Sequence, residues 1–189
     1  FYNFSTSPIT IVNSTDTSTP RIWDYVAALG EKSVVVNVPI TYPVHKVAGS
    51  IVSGIPPWYI DKRSVYPGNL LGRLNADGYQ IDAPMSRGLE KKPDALVDRV
   101  LATEEKRVGV FLDLLKDGQW SFGMIVLTGL DRLQHKLMGK GEKESEAVRR
   151  GYRGVDALVG KIIDSLRTEV NFLIVSDHGF NPRPLAFYP

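Results

Sequence analysis

This 189-residue sequence predicts an α/β fold with a mostly parallel sheet covered on both faces by helices, a three-layer sandwich. Three observations carry that expectation. Residues 33–38, 123–128 and 171–176 are short apolar runs without the polar alternation of a half-exposed strand, the pattern of buried parallel strands. Helical periodicity fills the intervals around 93–116 and 144–166. The last two runs lead into an acid and an imidazole, Asp131 with His135 and Asp177 with His178, and open parallel sheets place their ligands at strand ends.

Taken in order, residues 1–18 are rich in Ser, Thr and Asn and predict an extended or irregular segment with one edge strand. Thr19-Pro20 has the form of a helix start, with Thr as N-cap and Pro at the first helical position. Ile22, Val26 and Leu29 give that helix its apolar stripe, and Gly30 ends it. The strand 33–38 follows and stops at Pro39. Between 41 and 92 prolines and glycines break every candidate element, with Trp58, Tyr59, Tyr66 and Tyr79 scattered among them. A lid- or cap-like insertion in a single domain spanning 1–189 is the expectation there. A small irregular subdomain packed on the sheet is the plainer alternative.

Pro93 opens a long helix with Val97, Val100, Leu101, Val108, Phe111, Leu112 and Leu115 at helical spacing, and Gly118 stops it. A second long helix carries Val148, Tyr152, Val155, Val159, Ile162 and Leu166 on one face.

Composition narrows the chemistry. Hydrophobic residues make up 43% and charged residues 23%, and the net charge is only +2, which gives no argument for a nucleic-acid duplex as partner. No apolar run approaches the ~20 residues of a membrane span, so no membrane partner is expected. Cysteine is absent, so a metal site must be built from His, Asp, Glu or hydroxyl ligands.

Asp131 and His135 are four apart and share a helix face if the chain after Gly129 turns helical, so both can hold one ion. Parallel strands lie ~4.8 Å apart, so adjacent strand ends bring both pairs into one crevice. That is the scale of two ions ~3.5–4 Å apart, the arrangement that clamps the attacking and leaving oxygens of a phosphoryl displacement. Either pair alone also fits a simpler account, an Asp capping the next helix beside a packed or surface His. The third histidine, His45, has no such context.

Ser176-Asp177-His178-Gly179-Phe180 resembles the metal-binding signature of the alkaline phosphatase superfamily. More narrowly it resembles the type I phosphodiesterase/nucleotide pyrophosphatase family. Thr128-Gly-Leu-Asp131-Arg-Leu-Gln-His135 resembles that family's second metal motif. Ile22-Trp23, then Val36-Asn-Val-Pro-Ile-Thr-Tyr-Pro43, with Gly49 and Ser53-Gly54, resemble the segment between the family's nucleophile and that motif.

The resemblance implies an alkaline phosphatase-like fold and two divalent ions, zinc or alternatively manganese. Asp131 and His135 would bind one and Asp177 and His178 the other. It further implies a small phosphate-ester substrate and a Thr or Ser nucleophile. Ser5, Thr6, Thr10 and Thr15 qualify for that role by residue type alone, which singles none of them out, and Asn3 is placed near the phosphate by its position in the opening segment. A sulfatase or phosphomutase is the alternative within the superfamily, and a non-catalytic ligand- or protein-binding relative the alternative outside it. The chain begins at Phe1 and ends at Pro189 soon after its last motif, and a partial domain is expected, with the nucleophile and further ligands outside it. Such a domain would associate with a second copy through an open sheet edge.

Overall fold

The computed structural model describes residues 11–166 and 170–181. Its elements, in order, are α1 (Ile22–Ala28), β1 (Ser33–Val38), β2 (Gly49–Ser53), β3 (Val65–Tyr66), α2 (Leu70–Ala76), α3 (Pro93–Leu114), β4 (Phe122–Ile125), α4 (Gly129–Leu137) and α5 (Glu142–Ser165). Two 3-10 turns, Ser14–Asp16 and Leu89–Lys91, complete the set. The four strands form one sheet in the order β3-β2-β1-β4. β1 pairs in parallel with both β2 and β4, and the short β3 closes one edge antiparallel to β2. The mostly parallel α/β class is therefore as the apolar runs predict.

The chain divides into two compact units, Phe1–Asp82 with Gly109–Val126, and Ala83–Val108 with Leu127–Pro189. The first holds the sheet. Val34, Val35 and Val36 of β1 and Ile51 and Val52 of β2 are buried, as strands with neighbours on both edges must be. Trp23, Val35, Val47 and Ile51 form a core onto which Val38, Val44, Tyr66, Phe122 and Met124 pack. The second unit is helical. Leu96, Val97 and Val100 of α3 meet Leu133 and Leu137 of α4 and Ala147 and Val148 of α5.

Several sequence expectations need correction. α1 starts at Ile22, with Arg21 as N-cap, because Asp24 reaches back to accept the Arg21 amide at 2.7 Å. Its buried residue is Trp23, while Ile22 and Leu29 face solvent. The predicted edge strand in 1–18 is in part outside the described residues; within the described part, Asn13 caps a 3-10 turn instead, accepting the Thr15 amide at 2.9 Å. Between 41 and 92 the structure places β2, β3 and α2 despite the prolines and glycines.

The largest difference concerns residues 171–176, predicted as a parallel strand. They belong to no strand, and Leu173, Ile174 and Val175 are 88%, 75% and 77% exposed. Apolar character gives a strand its burial preference, but the strand exists only when a neighbouring ladder accepts its backbone.

A polar clasp fastens the loop before β3. Asp61 accepts hydrogen bonds from Tyr42 Oη at 2.9 Å, the Arg63 amide at 2.8 Å and Ser64 Oγ at 3.1 Å. The Arg63 guanidinium lies 5.0 Å from the centre of the Tyr42 ring. Partial burial pushes the Asp61 carboxyl up, but the bonds from Tyr42, Arg63 and Ser64 outweigh it and hold the group below its ordinary value. A lowered folded-state pKa stabilises above the unfolded value of about 3.9, and that contribution disappears as pH falls through the folded value. Urea unfolding of the wild type and Asp61→Asn should therefore differ most above about pH 4 and draw together progressively as the pH is lowered below it. A difference that stays constant across that window would mean the carboxylate charge contributes nothing.

Candidate functional site

α4 begins where the chain leaves β4, and it carries the first Asp/His pair. Asp131 sits in its first turn and His135 one turn on, as the spacing requires. His135 Nε2 lies 3.2 Å from Asp131 Oδ1, and Arg132 Nη1 is 3.9 Å from the other carboxylate oxygen. The helix face is the one the four-residue interval predicts, and the apolar positions Leu133 and Leu137 on the opposite side anchor it in the helical core.

The second pair stands in the irregular segment after α5. His178 Nε2 is 3.5 Å from Asp177 Oδ2, and His178 Nδ1 is 2.8 Å from the Gly179 carbonyl. Ser176 Oγ donates to the His178 carbonyl at 2.7 Å and tightens the turn. The Gly179 carbonyl, then Asp177, then the charge of Asp131 hold the His178 ring above its ordinary pKa. The His135 and Phe180 rings meet edge to face with centroids 4.9 Å apart. The two motifs are thus in contact, although one lies on a helix and the other on no regular element.

The donor types, carboxylate oxygen and imidazole nitrogen, suit a divalent ion of the zinc or manganese kind. The donor number is short. Among the described residues no group of three or more His, Asp or Glu is arranged to hold a metal. Each pair offers two protein ligands, where a catalytic zinc generally takes three.

The hydroxyl candidates and Asn3 are less informative. Asn3, Ser5, Thr6 and Thr10 lie outside the described residues. Thr15 is engaged locally, its Oγ1 donating to Asn13 Oδ1 at 2.8 Å. His45 pairs with Asp24 at 3.2 Å, consistent with a structural loop residue.

Sequence reasoning missed two residues beside the first motif. Glu104 and Arg107 of α3 are buried, with 1% and 0% exposure, and form an ion pair. Glu104 Oε1 accepts the Gly129 amide at 2.5 Å, and Arg107 Nη1 is 3.3 Å from Thr128 Oγ1. The signal was present: Glu104 and Arg107 follow Val100 at i+4 and i+7, so two charges occupy positions of the apolar stripe.

The family model described as Type I phosphodiesterase / nucleotide pyrophosphatase matches residues 2–186 of the chain. No curated protein and no solved structure matches it significantly.

Proposed function

The chain belongs to the type I phosphodiesterase/nucleotide pyrophosphatase family, and from that membership we propose that it serves metal-dependent hydrolysis of a phosphodiester or nucleotide pyrophosphate bond. Its mixed α/β architecture, with a mostly parallel sheet, is consistent with the alkaline phosphatase-like fold. The observation that carries the proposal is the contact between the two motif segments, with the His135 ring packed edge to face on Phe180.

In this reading Asp131 and His135 hold one divalent ion, zinc or manganese, and Asp177 and His178 hold a second. Ligands beyond these four complete each site. Ions so held would polarise the phosphoryl oxygens and favour the ionised form of a Thr or Ser hydroxyl nucleophile. The chain's own groups act as follows. The carboxylates of Asp131 and Asp177 set the negative charge that selects a divalent cation. His135 and His178 bind as neutral imidazoles, so a raised His178 pKa makes ion uptake compete with a proton. Edge-to-face packing on Phe180 limits rotation of the His135 ring.

The test is hydrolysis of bis(4-nitrophenyl) phosphate with added zinc or manganese, before and after chelation. Turnover that disappears with chelator and returns with metal supports the reading. A chain that binds both ions yet hydrolyses neither this ester nor a nucleotide pyrophosphate would remove it. The two-ligand count of each pair favours a second reading, a ligand-binding relative without turnover. Calorimetry separates the two, because that reading expects nucleotide binding without phosphate release.

A further inference from the structure

We propose that Glu104 and Arg107 are positioning residues for the first Asp/His motif, fixing the start of α4 and through it the aim of Asp131 and His135. What the aim serves rests on the phosphodiesterase reading; the geometry does not.

The first turn of any helix leaves amide protons without intrahelical acceptors, and a side chain at the N-cap generally satisfies one of them. At α4 the preceding Thr128 makes no such bond. The acceptor comes instead from another helix, as Glu104 Oε1 takes the Gly129 amide at 2.5 Å. A carboxylate there also meets the positive end of the helix dipole. Arg107 then ties both ends of the arrangement, pairing with Glu104 and lying 3.3 Å from Thr128 Oγ1.

The fit is close. A Cβ added at Gly129 would stand 2.6 Å from Val100 Cγ1 and 2.9 Å from Glu104 Oε1, so glycine is what allows α4 to approach α3 this nearly. Asp131 follows two residues later and His135 one turn beyond that, so a shift or roll of the helix start carries both donors with it.

A buried ion pair is a poor source of stability, since an apolar pair of similar volume is often equally stable. Its directional bonds to a backbone amide and a hydroxyl give what an apolar pair lacks, a fixed register between two helices. No apolar residue could accept the Gly129 amide.

The experiment compares wild type, Glu104→Gln, Thr128→Val and the double variant Glu104→Met/Arg107→Met, which removes the charge pair and the acceptor of the Gly129 amide together. It follows kcat and KM for bis(4-nitrophenyl) phosphate with zinc or manganese, melting temperature, and the nuclear magnetic resonance signals of the Gly129 amide and the His135 and Phe180 rings. In Glu104→Gln we expect kcat to fall about ten-fold or more with KM within about two-fold, the range for groups that orient ligands rather than bind them. The Gly129 amide proton should move upfield and exchange faster. The double variant should recover melting temperature, because no buried charge is left without its partner, but not kcat. Thr128→Val, which leaves the ion pair intact, should give a smaller loss of kcat in the same direction.

Recovery of kcat together with stability in the double variant would show the pair to be structural only, and so would an unmoved Gly129 amide in every variant. If the wild type itself hydrolyses nothing, the functional reading fails and the ring signals decide this one. Loss of the His135–Phe180 contact in a stable double variant supports positioning, and its retention overturns it.

Discussion

Asp131→Asn and Asp177→Asn are each expected to lower metal-dependent phosphodiester hydrolysis by more than about a hundred-fold, and the double variant is expected to be no worse than the more damaging single one. Outer-sphere partners of metal ligands already cost ~10–100-fold, so a lost ligand should exceed that range. The lack of additivity is the sharper part. Groups that act as one unit cannot be lost twice, whereas independent sites multiply their effects. The structure motivates the test through the contact of the two motif segments, with Phe180 packed edge to face on His135. Asparagine keeps size and one acceptor oxygen, so folding should be spared; both carboxylates are at least partly solvent-exposed. Rates for the four proteins at saturating zinc or manganese give the answer. Two fully multiplicative losses would mean that the pairs work separately and the two-ion proposal is wrong.

What could be read from sequence followed the physics of each signal. β1 is found over the residues its valines predict, and α3 and α5 start and stop within two residues of the expected bounds, 93–116 and 144–166. These elements carry long or unbroken apolar patterns that local composition alone determines. β2 was hidden because Gly49-Ser-Ile-Val-Ser53 lies among prolines and glycines, and β3 is only two residues long. Both exist through pairing with strands distant in sequence, which periodicity does not report. The same limit worked in reverse at 171–176, where apolar residues suggested a strand and the structure provides no ladder.

At the candidate site the pattern is similar. The helical placement of Asp131 and His135 followed from their interval. Glu104 and Arg107 are not legible in the same way, because a charge within an apolar stripe breaks the periodicity without saying what it faces. Its meaning depends on a backbone amide 25 residues away, a contact visible only once the chain has folded.

Gly49→Ala is expected to be among the most destabilising single-methyl changes in the chain, at about 2–6 kcal/mol from two additive causes. Gly49 opens β2 opposite Ser33 in the parallel pairing, and its φ of 114° lies in a region that L side chains rarely occupy. Holding alanine there costs ~1–3 kcal/mol. The added Cβ would also stand 2.1 Å from the Ser33 carbonyl oxygen and 2.8 Å from its amide nitrogen. Those are backbone atoms within the β1–β2 ladder, so no side-chain rotation relieves the overlap, and overpacking of this kind costs ~1–3 kcal/mol more. At roughly 2–4 °C per kcal/mol for a chain of this size, the melting temperature should fall by roughly 4–24 °C. Gly68→Ala is the control. It has no atom within 4 Å of an added Cβ and no positive φ, so its melting temperature should stay close to wild type. Thermal unfolding of the three proteins decides the matter: if Gly49→Ala melts with Gly68→Ala, the tight start of β2 is not a constraint on the fold.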